Sequence, residues 1–396
     1  MRIPETRLRV IADRFALPAA VVRIEPLGQG LINATFRLTT ADGRHRVLQR
    51  LNPTVFADPA PLMANLRRLA ELGRAAQPGD PRIPGLIPTR DGADWLRDDA
   101  GAAWRLLEFI PDGIAPGHPI SLAQARAVGT ALGAFHRMLA RLPPAAFEVA
   151  IPDFHETPVY LARLDAARAA ADDSDRAWDA DAGLQAALRF IDSRRNLASL
   201  LDAARRSGRI PIRAVHGDPK LDNLLFDRRG EQVLALIDLD TVQPGLLLHD
   251  IADCLRSCCK RESPPPTDET LDAGLASGMA ASDADPAWAM PVDRTRPPGV
   301  RFDLPTCRAL LGGYAATGGS LLCDEEIRLM TGAIRLLPFE LGLRFIADHL
   351  AGDRYFRVRA HGENLRRALI QLALVADIEC QEPALERIVR ETFADK

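Results

Sequence analysis

Five polar residues stand within eight positions of the stretch AVHGDPKLDNLLFD, residues 214–227: His216, Asp218, Lys220, Asp222 and Asn223. Apolar runs flank them, IRAV before and LLF after, so the pattern predicts a polar loop held between short buried strands. A further carboxylate, Asp238, ends the next apolar run, VLALI. Carboxylates, an amide and an imidazole on one such loop indicate a chemical role.

Phosphoryl transfer is the chemistry that needs this set of groups. One carboxylate, Asp218, orients an attacking hydroxyl and accepts its proton, while Asn223 and Asp238 hold Mg²⁺ against the phosphates. Asp218 and Asn223 share one short loop, and Asp238 ends the neighbouring strand, so we expect all three in one pocket. The flanking strands keep the loop rigid, as catalysis by positioning requires.

The size and composition of the chain favour a two-lobed globular protein. The chain has 396 residues, too many for one ordinary core. Its 50 basic and 53 acidic residues give a net charge of −3. Neither a basic excess nor a charged tail points to a nucleic-acid partner, so an anionic ligand must rely on a local site.

Compartment and membrane signals also narrow the choice. The N-terminal stretch MRIPETRLRVIADRF lacks the apolar segment of a signal peptide, and no apolar run is long enough to span a bilayer. The six cysteines form no C-x-x-C pair. We expect reduced thiols, no membrane partner and a cytoplasmic location.

The first 110 residues predict a small, strand-rich lobe. Three strands are expected between residues 21 and 51, the last two joined by the Asp42–Gly43 hairpin turn. Short helices are expected over residues 5–17 and 59–73, and a buried strand over 101–110. The turn PDG that follows marks the expected lobe boundary.

Residues 111–396 predict a larger, mainly helical lobe. Apolar residues repeat at three and four positions over 122–142, and a second helix is expected over 183–207. The C-terminal part is expected to be helical, with an interruption at Pro338. The Pro-rich segment 261–300 is interpreted as an insertion or mobile loop. A cleft between two lobes is a usual place for a small ligand.

The two polar blocks, VHGDPKLDNLLFD and LIDLDTVQPGLLLHDIAD, resemble the aminoglycoside phosphotransferase and choline kinase family in order and spacing. The resemblance implies an α+β, two-lobed, protein-kinase-like fold with a small antiparallel-sheet N-lobe and a larger helical C-lobe. It implies ATP and Mg²⁺ as cofactors. It also assigns Asp218 as the catalytic base, Asn223 and Asp238 as Mg²⁺ ligands, and His216 and Asp250 as structural residues of the loop.

A narrower resemblance extends over most of the chain. Pieces such as LINATFRLTT, WRLLEFI, DFHETP, IDLDTVQPG and LGLRFIADHLAGDRYF are similar to N-acetylhexosamine 1-kinases. Those enzymes use ATP to phosphorylate the anomeric hydroxyl of N-acetylglucosamine or N-acetylgalactosamine. The resemblance implies the same substrate class here, without indicating which hexosamine is preferred.

Several residues are candidates for the nucleotide site. Gly28 and Gly30, in LGQG, resemble a phosphate-covering loop, although an ordinary turn also fits. Gln49 stands where most of the family has Lys or Arg on the third strand, and the sugar 1-kinases share this Gln. Gln brings a hydrogen-bond donor but no charge. Lys220 either supplies that charge to the γ-phosphate or is solvated.

The connector LLEFI, residues 106–110, is expected to pair with adenine through its backbone, around Glu108 and Ile110. Main-chain recognition leaves the side chains uninformative.

The acceptor site has four candidate residues. Asp240 binds either Mg²⁺ or a sugar hydroxyl, and Thr241 follows it. Arg344 contacts the sugar or forms an i,i+4 ion pair with Glu340 or Asp348. His155 is either structural or flanks the acetamido pocket.

Two rival functions stay open. The same chemistry could act on choline, an aminoglycoside or a cell-wall amino sugar. Alternatively, Gln49 could mark a non-catalytic kinase-like nucleotide binder, although the base and both metal ligands are present. We expect a small-molecule sugar and ATP as partners, and the sequence leaves monomer and dimer equally open.

Overall fold

An antiparallel sheet dominates the N-terminal region of the computed structural model, which describes residues 3–28, 32–172, 181–262 and 299–394. The strand order is β1-β2-β3-β6-β4, and β5 also pairs with β6. The three strands predicted between residues 21 and 51 are confirmed, as is the turn at Gly43, whose φ of +78° suits glycine. The strands are β1 (Val21–Pro26), β2 (Ala34–Thr40), β3 (His45–Arg50), β4 (Leu86–Ile87), β5 (Leu96–Arg97) and β6 (Ala103–Glu108).

The two faces of this sheet have different neighbours. Helix α1 (Glu5–Ala12) packs its Leu8 and Ile11 into a cluster with Leu48, Trp104 and other core residues. Since side chains alternate along a strand, the residues between these positions emerge on the other face. That second face carries polar side chains and takes part in the candidate site.

The rest of the chain is largely helical. Its helices are α2 (Ala60–Arg74), α3 (Leu122–Leu139), α4 (Thr157–Asp172), α5 (Ala182–Asp192), α6 (Leu200–Arg206), α7 (Leu247–Cys259), α8 (Leu304–Thr317), α9 (Asp324–Leu350), α10 (Glu363–Cys380) and α11 (Glu382–Thr392). Three strand pairs accompany them: β7 (Arg213–Val215) with β10 (Gln243–Gly245), β8 (Leu224–Phe226) with β9 (Val233–Leu236), and β11 (Lys260–Glu262) with β12 (Val300–Phe302). The expected α+β class is confirmed.

The chain packs into two compact units. Unit 1 comprises residues 1–154, 211–250 and 309–322, and unit 2 comprises residues 155–210, 251–308 and 323–396. Unit 1 therefore holds the sheet together with the strands around the polar loop. Residue 110, the expected lobe boundary, lies inside unit 1. That residues 1–110 bind the nucleotide and residues 111–396 carry the catalytic and substrate-binding groups stays a prediction. Most of the expected insertion, residues 263–298, lies outside the described residues.

Two helix predictions were wrong. The helix expected over 183–207 ends at Asp192, and a 3₁₀ turn, Arg195–Ser199, precedes α6. Helix α9 continues through Pro338, where an interruption was expected. Proline removes one helical hydrogen bond, but buried neighbours such as Leu337 and Phe339 hold both halves in the core of unit 2.

Among the described helices, none combines the length and the apolar character that crossing a bilayer would require.

Glycines allow α3 and the C-terminal part of α8 to approach closely in unit 1. A Cβ atom on Gly129 would lie 1.9 Å from the carbonyl oxygen of Leu310, and one on Gly313 would lie 2.1 Å from that of Arg126. A Cβ atom on the adjacent Gly312 would lie 3.6 Å from its nearest neighbour, which is ordinary contact.

We therefore expect Gly313→Ala to lower the free energy of unfolding by about 1–3 kcal/mol, because the added methyl group forces the helices apart. Gly312→Ala is the matched control and should leave stability unchanged or raise it by up to about 1 kcal/mol through helix propensity. Urea denaturation of both variants measures the difference. Equal stability of the two variants would contradict this packing.

Candidate active site

The polar loop of residues 216–223 connects β7 to β8 in unit 1. Gly217 has a φ of +86°, and a Cβ atom there would lie 2.6 Å from the carbonyl oxygen of Thr241. Only glycine fits both the left-handed backbone and this close approach. A 3₁₀ turn, Leu221–Asn223, ends the loop and carries Asn223 into a buried position.

A fully buried carboxylate, Asp250, holds the start of this loop. Its Oδ2 accepts a hydrogen bond from the backbone N–H of His216 at 2.6 Å, and its Oδ1 accepts one from that of Gly217 at 2.8 Å. The His136 side chain contacts the same carboxylate through Nε2 at 2.8 Å, and its Nδ1 lies 3.0 Å from the Tyr314 hydroxyl. This geometry agrees with the structural role predicted for Asp250.

The pKa of Asp250 reflects these contacts. Burial alone would raise it, but the hydrogen bond and charge of His136 and the backbone N–H of Gly217 outweigh burial and hold the pKa below its ordinary value. The carboxylate is therefore ionised wherever the protein is folded near neutral pH. His136 was expected to be a core residue, and it is 1% exposed.

The His216 ring joins the loop to the end of β9. Its Nε2 lies 3.2 Å from the carbonyl oxygen of Ile237, so Nε2 carries the proton and Nδ1 is left to accept the backbone N–H of Asp218 at 3.3 Å. Burial lowers the pKa of His216, which favours this neutral form. The ring thereby fixes the backbone of Asp218 relative to Asp238, the residue after Ile237.

Three predicted site residues meet at the Asp218 carboxylate. The Asn223 side-chain amide donates to the Asp218 carbonyl oxygen at 2.8 Å and to its Oδ2 at 3.1 Å. The Lys220 ammonium forms an ion pair with the same Oδ2. The Asp218 side chain keeps 29% of its surface exposed, so a substrate can still reach it.

Asp238 stands beside this group with a left-handed φ of +59°, which Asp tolerates better than most residues. Desolvation by the surrounding protein and the charge of Asp240 raise its pKa, while Lys220 and Arg105 oppose this shift. Its side chain nevertheless reaches solvent, and water moderates both effects. The raised pKa of Asp238 thus reflects the surrounding protein and the nearby negative charge of Asp240.

A buried network on the second face of the sheet includes residues that the sequence analysis did not single out. Arg105 on β6 donates through Nε and Nη2 to the Gln49 side-chain oxygen, at 2.8 and 2.6 Å. Its Nη2 also pairs with Asp240 at 2.5 Å. Asn33 donates to the other oxygen of Asp240 at 2.7 Å. An arginine inside the apolar run AAWRLLEFI was the available signal for this network.

The other described residues that were proposed for nucleotide binding also lie in unit 1: Gly28, Glu108 and Ile110. Gly28 is exposed with a φ of +72°, and Gly30 lies outside the described residues. The backbone N–H of Glu108 donates to Gly85 at 2.8 Å, so this donor is engaged in the sheet edge. Ile110 is buried, and its role in adenine binding stays a prediction.

Thr241 has its hydroxyl engaged within the loop. The hydroxyl donates to the His216 carbonyl oxygen at 2.8 Å, which ties the segment after Asp238 to the start of the polar loop. A substrate contact would have to use the remaining lone pairs of this oxygen. Contact of Thr241 or Asp240 with an acceptor therefore stays a prediction.

His155 and Arg344, the other two acceptor candidates, lie in unit 2. Glu340 on α9 accepts from the Thr157 hydroxyl at 2.6 Å and lies 2.8 Å from Nδ1 of His155. Asp348 accepts the backbone N–H groups of residues 354–356. The two alternatives for Arg344, a sugar contact or an ion pair with Glu340 or Asp348, stay predictions.

Aromatic rings surround the Arg344 guanidinium. Its Cζ lies 4.9 Å from the ring centroid of Tyr160, 5.5 Å from that of Phe356 and 5.9 Å from that of Tyr355. Such distances allow cation–π attraction. Burial raises the pKa of Tyr160 to about 12, so its hydroxyl stays protonated.

Comparison with known protein families gives a match over most of the chain. A model described as the phosphotransferase enzyme family matches residues 23–289, a range that contains the polar loop, Asp238 and Asp250.

Solved structures share the fold at low sequence identity. An aminoglycoside phosphotransferase from Alicyclobacillus acidocaldarius is 16% identical, with a TM-score of 0.55 and coverage of 99% of this chain and 97% of its own. A choline kinase from Cryptosporidium parvum is 12% identical, with a TM-score of 0.57 and coverage of 98% and 100%. A spectinomycin phosphotransferase, solved with ADP and spectinomycin, is 11% identical, with a TM-score of 0.54 and coverage of 96% and 98%.

Asp250→Asn tests the buried anchor of the loop. An amide must turn its NH₂ group toward one of three donors, so we expect the free energy of unfolding at pH 7 to fall by about 2–4 kcal/mol. Because the folded-state pKa of Asp250 is depressed, its contribution is present above the unfolded pKa and is lost as the pH falls through the folded pKa. The stability difference from the wild type should therefore shrink in acid.

The matched control is Asp227→Asn. Asp227 also accepts a backbone N–H, from Glu231 at 2.9 Å, but it lies in a partly exposed turn. We expect this variant to lose less than about 1 kcal/mol. Urea titrations from pH 8 down to about pH 2 measure both variants across the range in which Asp250 becomes protonated. A loss for Asp250→Asn at pH 7 no larger than that of the control would refute the anchoring role.

Proposed function

The chain belongs to the phosphotransferase enzyme family, and from this premise we propose that it transfers the γ-phosphoryl group of ATP to the anomeric hydroxyl of an N-acetylhexosamine. Proteins of this family type phosphorylate small molecules. The observation that carries the proposal is the accessible Asp218 carboxylate, which Asn223 and Lys220 contact, while the His216 ring accepts the backbone N–H of Asp218.

Asp218 orients the acceptor and takes its proton. The sugar hydroxyl donates to the carboxylate, and its oxygen attacks the γ-phosphorus. A new P–O bond forms as the bond between the γ-phosphorus and the bridging oxygen breaks, and the electron pair leaves with ADP. The hydroxyl proton passes to Asp218 and then to water, so the products are the sugar 1-phosphate, ADP and a proton.

Asn223 and Asp238 fit a divalent cation. Both side-chain N–H bonds of Asn223 point to Asp218, which leaves its side-chain oxygen for a metal ion. The accessible carboxylate of Asp238 supplies the second oxygen, and oxygen ligands of this kind suit Mg²⁺. When bound, Mg²⁺ neutralises negative charge on the ATP phosphates.

Lys220 provides a fixed positive charge beside the reacting carboxylate. Its ion pair with Asp218 offsets the repulsion between that carboxylate and an approaching phosphate. The Lys220 ammonium is partly exposed, and its contact with the γ-phosphate is part of the proposal.

The acceptor is proposed to be a neutral sugar, in line with the similarity to N-acetylhexosamine 1-kinases. Aromatic faces commonly recognise quaternary ammonium ligands. Here the rings of Tyr160, Tyr355 and Phe356 are occupied by the guanidinium of Arg344. An arginine in that position favours hydroxyl and carbonyl oxygens over a second cation, and so favours a sugar over choline or an aminoglycoside.

Asp218→Asn tests the catalytic assignment. The amide keeps the shape of the side chain but cannot accept the proton, so we expect kcat to fall by roughly 10²–10⁴-fold. ATP affinity should stay close to that of the wild type, because Asp218 serves the acceptor. A coupled ADP-release assay gives kcat, and calorimetry gives nucleotide affinity.

Asp222→Asn is the control, since Asp222 is an exposed carboxylate on the same loop. Its kcat should remain within about twofold of the wild type. Turnover by Asp218→Asn comparable to that of this control would exclude Asp218 as the base.

A pair of acceptors tests the hydroxyl that is phosphorylated. N-acetylglucosamine or N-acetylgalactosamine should be turned over, whereas the corresponding methyl glycoside, whose anomeric oxygen is blocked, should be inert. ADP release and ³¹P NMR of the product measure both reactions.

Choline and an aminoglycoside serve as the rival acceptors in the same assay. Turnover of choline with both sugars inert would overturn the sugar assignment. Equal turnover of the free sugar and its methyl glycoside would overturn the anomeric assignment while leaving the kinase activity intact.

A further inference from the structure

The nucleotide site lacks a cation at its usual place on β3, where Gln49 stands. On the same face, the backbone register pairs Thr35 of β2 with Gln49 of β3, and Gln49 with Arg105 of β6. Side chains paired in this way in an antiparallel sheet lie next to each other on one face. Strand β6 therefore places the guanidinium of Arg105 directly beside Gln49, where most of the family has Lys or Arg.

Gln49 orients this guanidinium. The Gln49 side-chain nitrogen donates to the Thr35 hydroxyl at 3.1 Å, which fixes the amide with its oxygen toward Arg105. That oxygen accepts from both Nε and Nη2 of Arg105, at 2.8 and 2.6 Å. Gln49 thus orients the Arg105 side chain. Both the side-chain oxygen and the side-chain nitrogen of Gln49 are used in these hydrogen bonds.

One end of Arg105 is left over. Its side chain is only 2% exposed, and Nη1 has no hydrogen-bond partner among the residues that the structure describes. A buried guanidinium N–H group without an acceptor is unfavourable, and native proteins rarely leave one unmade. We therefore expect a ligand to supply the acceptor for Nη1 of Arg105.

The charge around Arg105 indicates what that acceptor is. Nη2 is paired with Asp240 at 2.5 Å, and Asp240 stands two residues after the proposed Mg²⁺ ligand Asp238. The vacant N–H groups thus belong to a cation that lies near the proposed metal ligand. Phosphate oxygens of Mg²⁺-bound ATP are the anions expected at such a place, and arginine binds phosphate well.

We propose that Arg105 is the phosphate-binding cation of this nucleotide site, moved from β3 to β6 and oriented by Gln49. The inference rests on the proposed function, because it presumes that ATP binds in unit 1. It changes the role expected for Gln49, from a direct phosphate contact to a positioning residue. The inference also assigns Asp240 a role: its ion pair with Arg105 holds the guanidinium in place.

A ladder of adenosine, AMP, ADP and ATP tests this assignment by calorimetry on the full chain, with and without Mg²⁺. For Arg105→Met we expect ADP and ATP affinity to fall by ten- to a hundredfold while adenosine affinity stays within twofold, because only the phosphates contact the guanidinium. Arg97→Met replaces an exposed arginine on β5 and is the control, which should leave every affinity unchanged.

A double variant keeps the test decisive if Arg105→Met unfolds. Gln49→Lys with Arg105→Met returns a cation to β3 beside Asp240, and we expect it to recover most of the ADP and ATP affinity. Circular dichroism verifies that each variant is folded.

Three outcomes separate the possibilities. Loss of ADP and ATP affinity in Arg105→Met with recovery in the double variant supports the inference. Unchanged ADP affinity in folded Arg105→Met, or equal loss of ADP and adenosine affinity in the folded double variant, overturns it and leaves the proposed function standing. Failure of the wild-type chain to bind any nucleotide overturns both.

Discussion

One buried carboxylate, Asp250, holds the start of the polar loop that carries the proposed catalytic residues. It is fully buried and holds the backbone of His216 and Gly217, and it is itself held by His136. A buried charge is tolerated only when its hydrogen bonds are made, so the loop cannot leave this carboxylate without a large energetic penalty. The reactive side chains therefore stand on a backbone that is fixed before any substrate arrives.

A second buried charge ties the sheet to the segment that follows Asp238. Arg105 and Asp240 form an ion pair. Arg105 also donates to Gln49 on β3, and Asp240 accepts from Asn33, the residue before β2. The sheet and the proposed metal ligand are thus positioned by one continuous polar network inside unit 1. If ATP and Mg²⁺ bind as proposed, this network would fix both of their sites, as catalysis by positioning requires.

The sequence identified the residues of the loop better than the interactions among them. The spacing predicted that Asp218 and Asn223 lie together, because both stand on one short loop between two strands, and their roles with Asp238 in catalysis stay predictions. The role of Arg105 could not be predicted, since it depends on the register of β3 against β6, which pairs residues 56 positions apart. Pro338 was misjudged for a related reason: the packing of α9 in unit 2 outweighs a local helix-breaking preference.

Transfer of oxygen-18 tests the central claim most directly. N-acetylglucosamine labelled with oxygen-18 at the anomeric position would be incubated with the protein, ATP and Mg²⁺, and the product followed by ³¹P NMR. If the anomeric oxygen attacks the γ-phosphorus, the label bridges carbon and phosphorus in the sugar 1-phosphate and shifts its phosphorus resonance. A labelled sugar that yields no phosphorylated product, or a product without the isotope shift, would contradict the account.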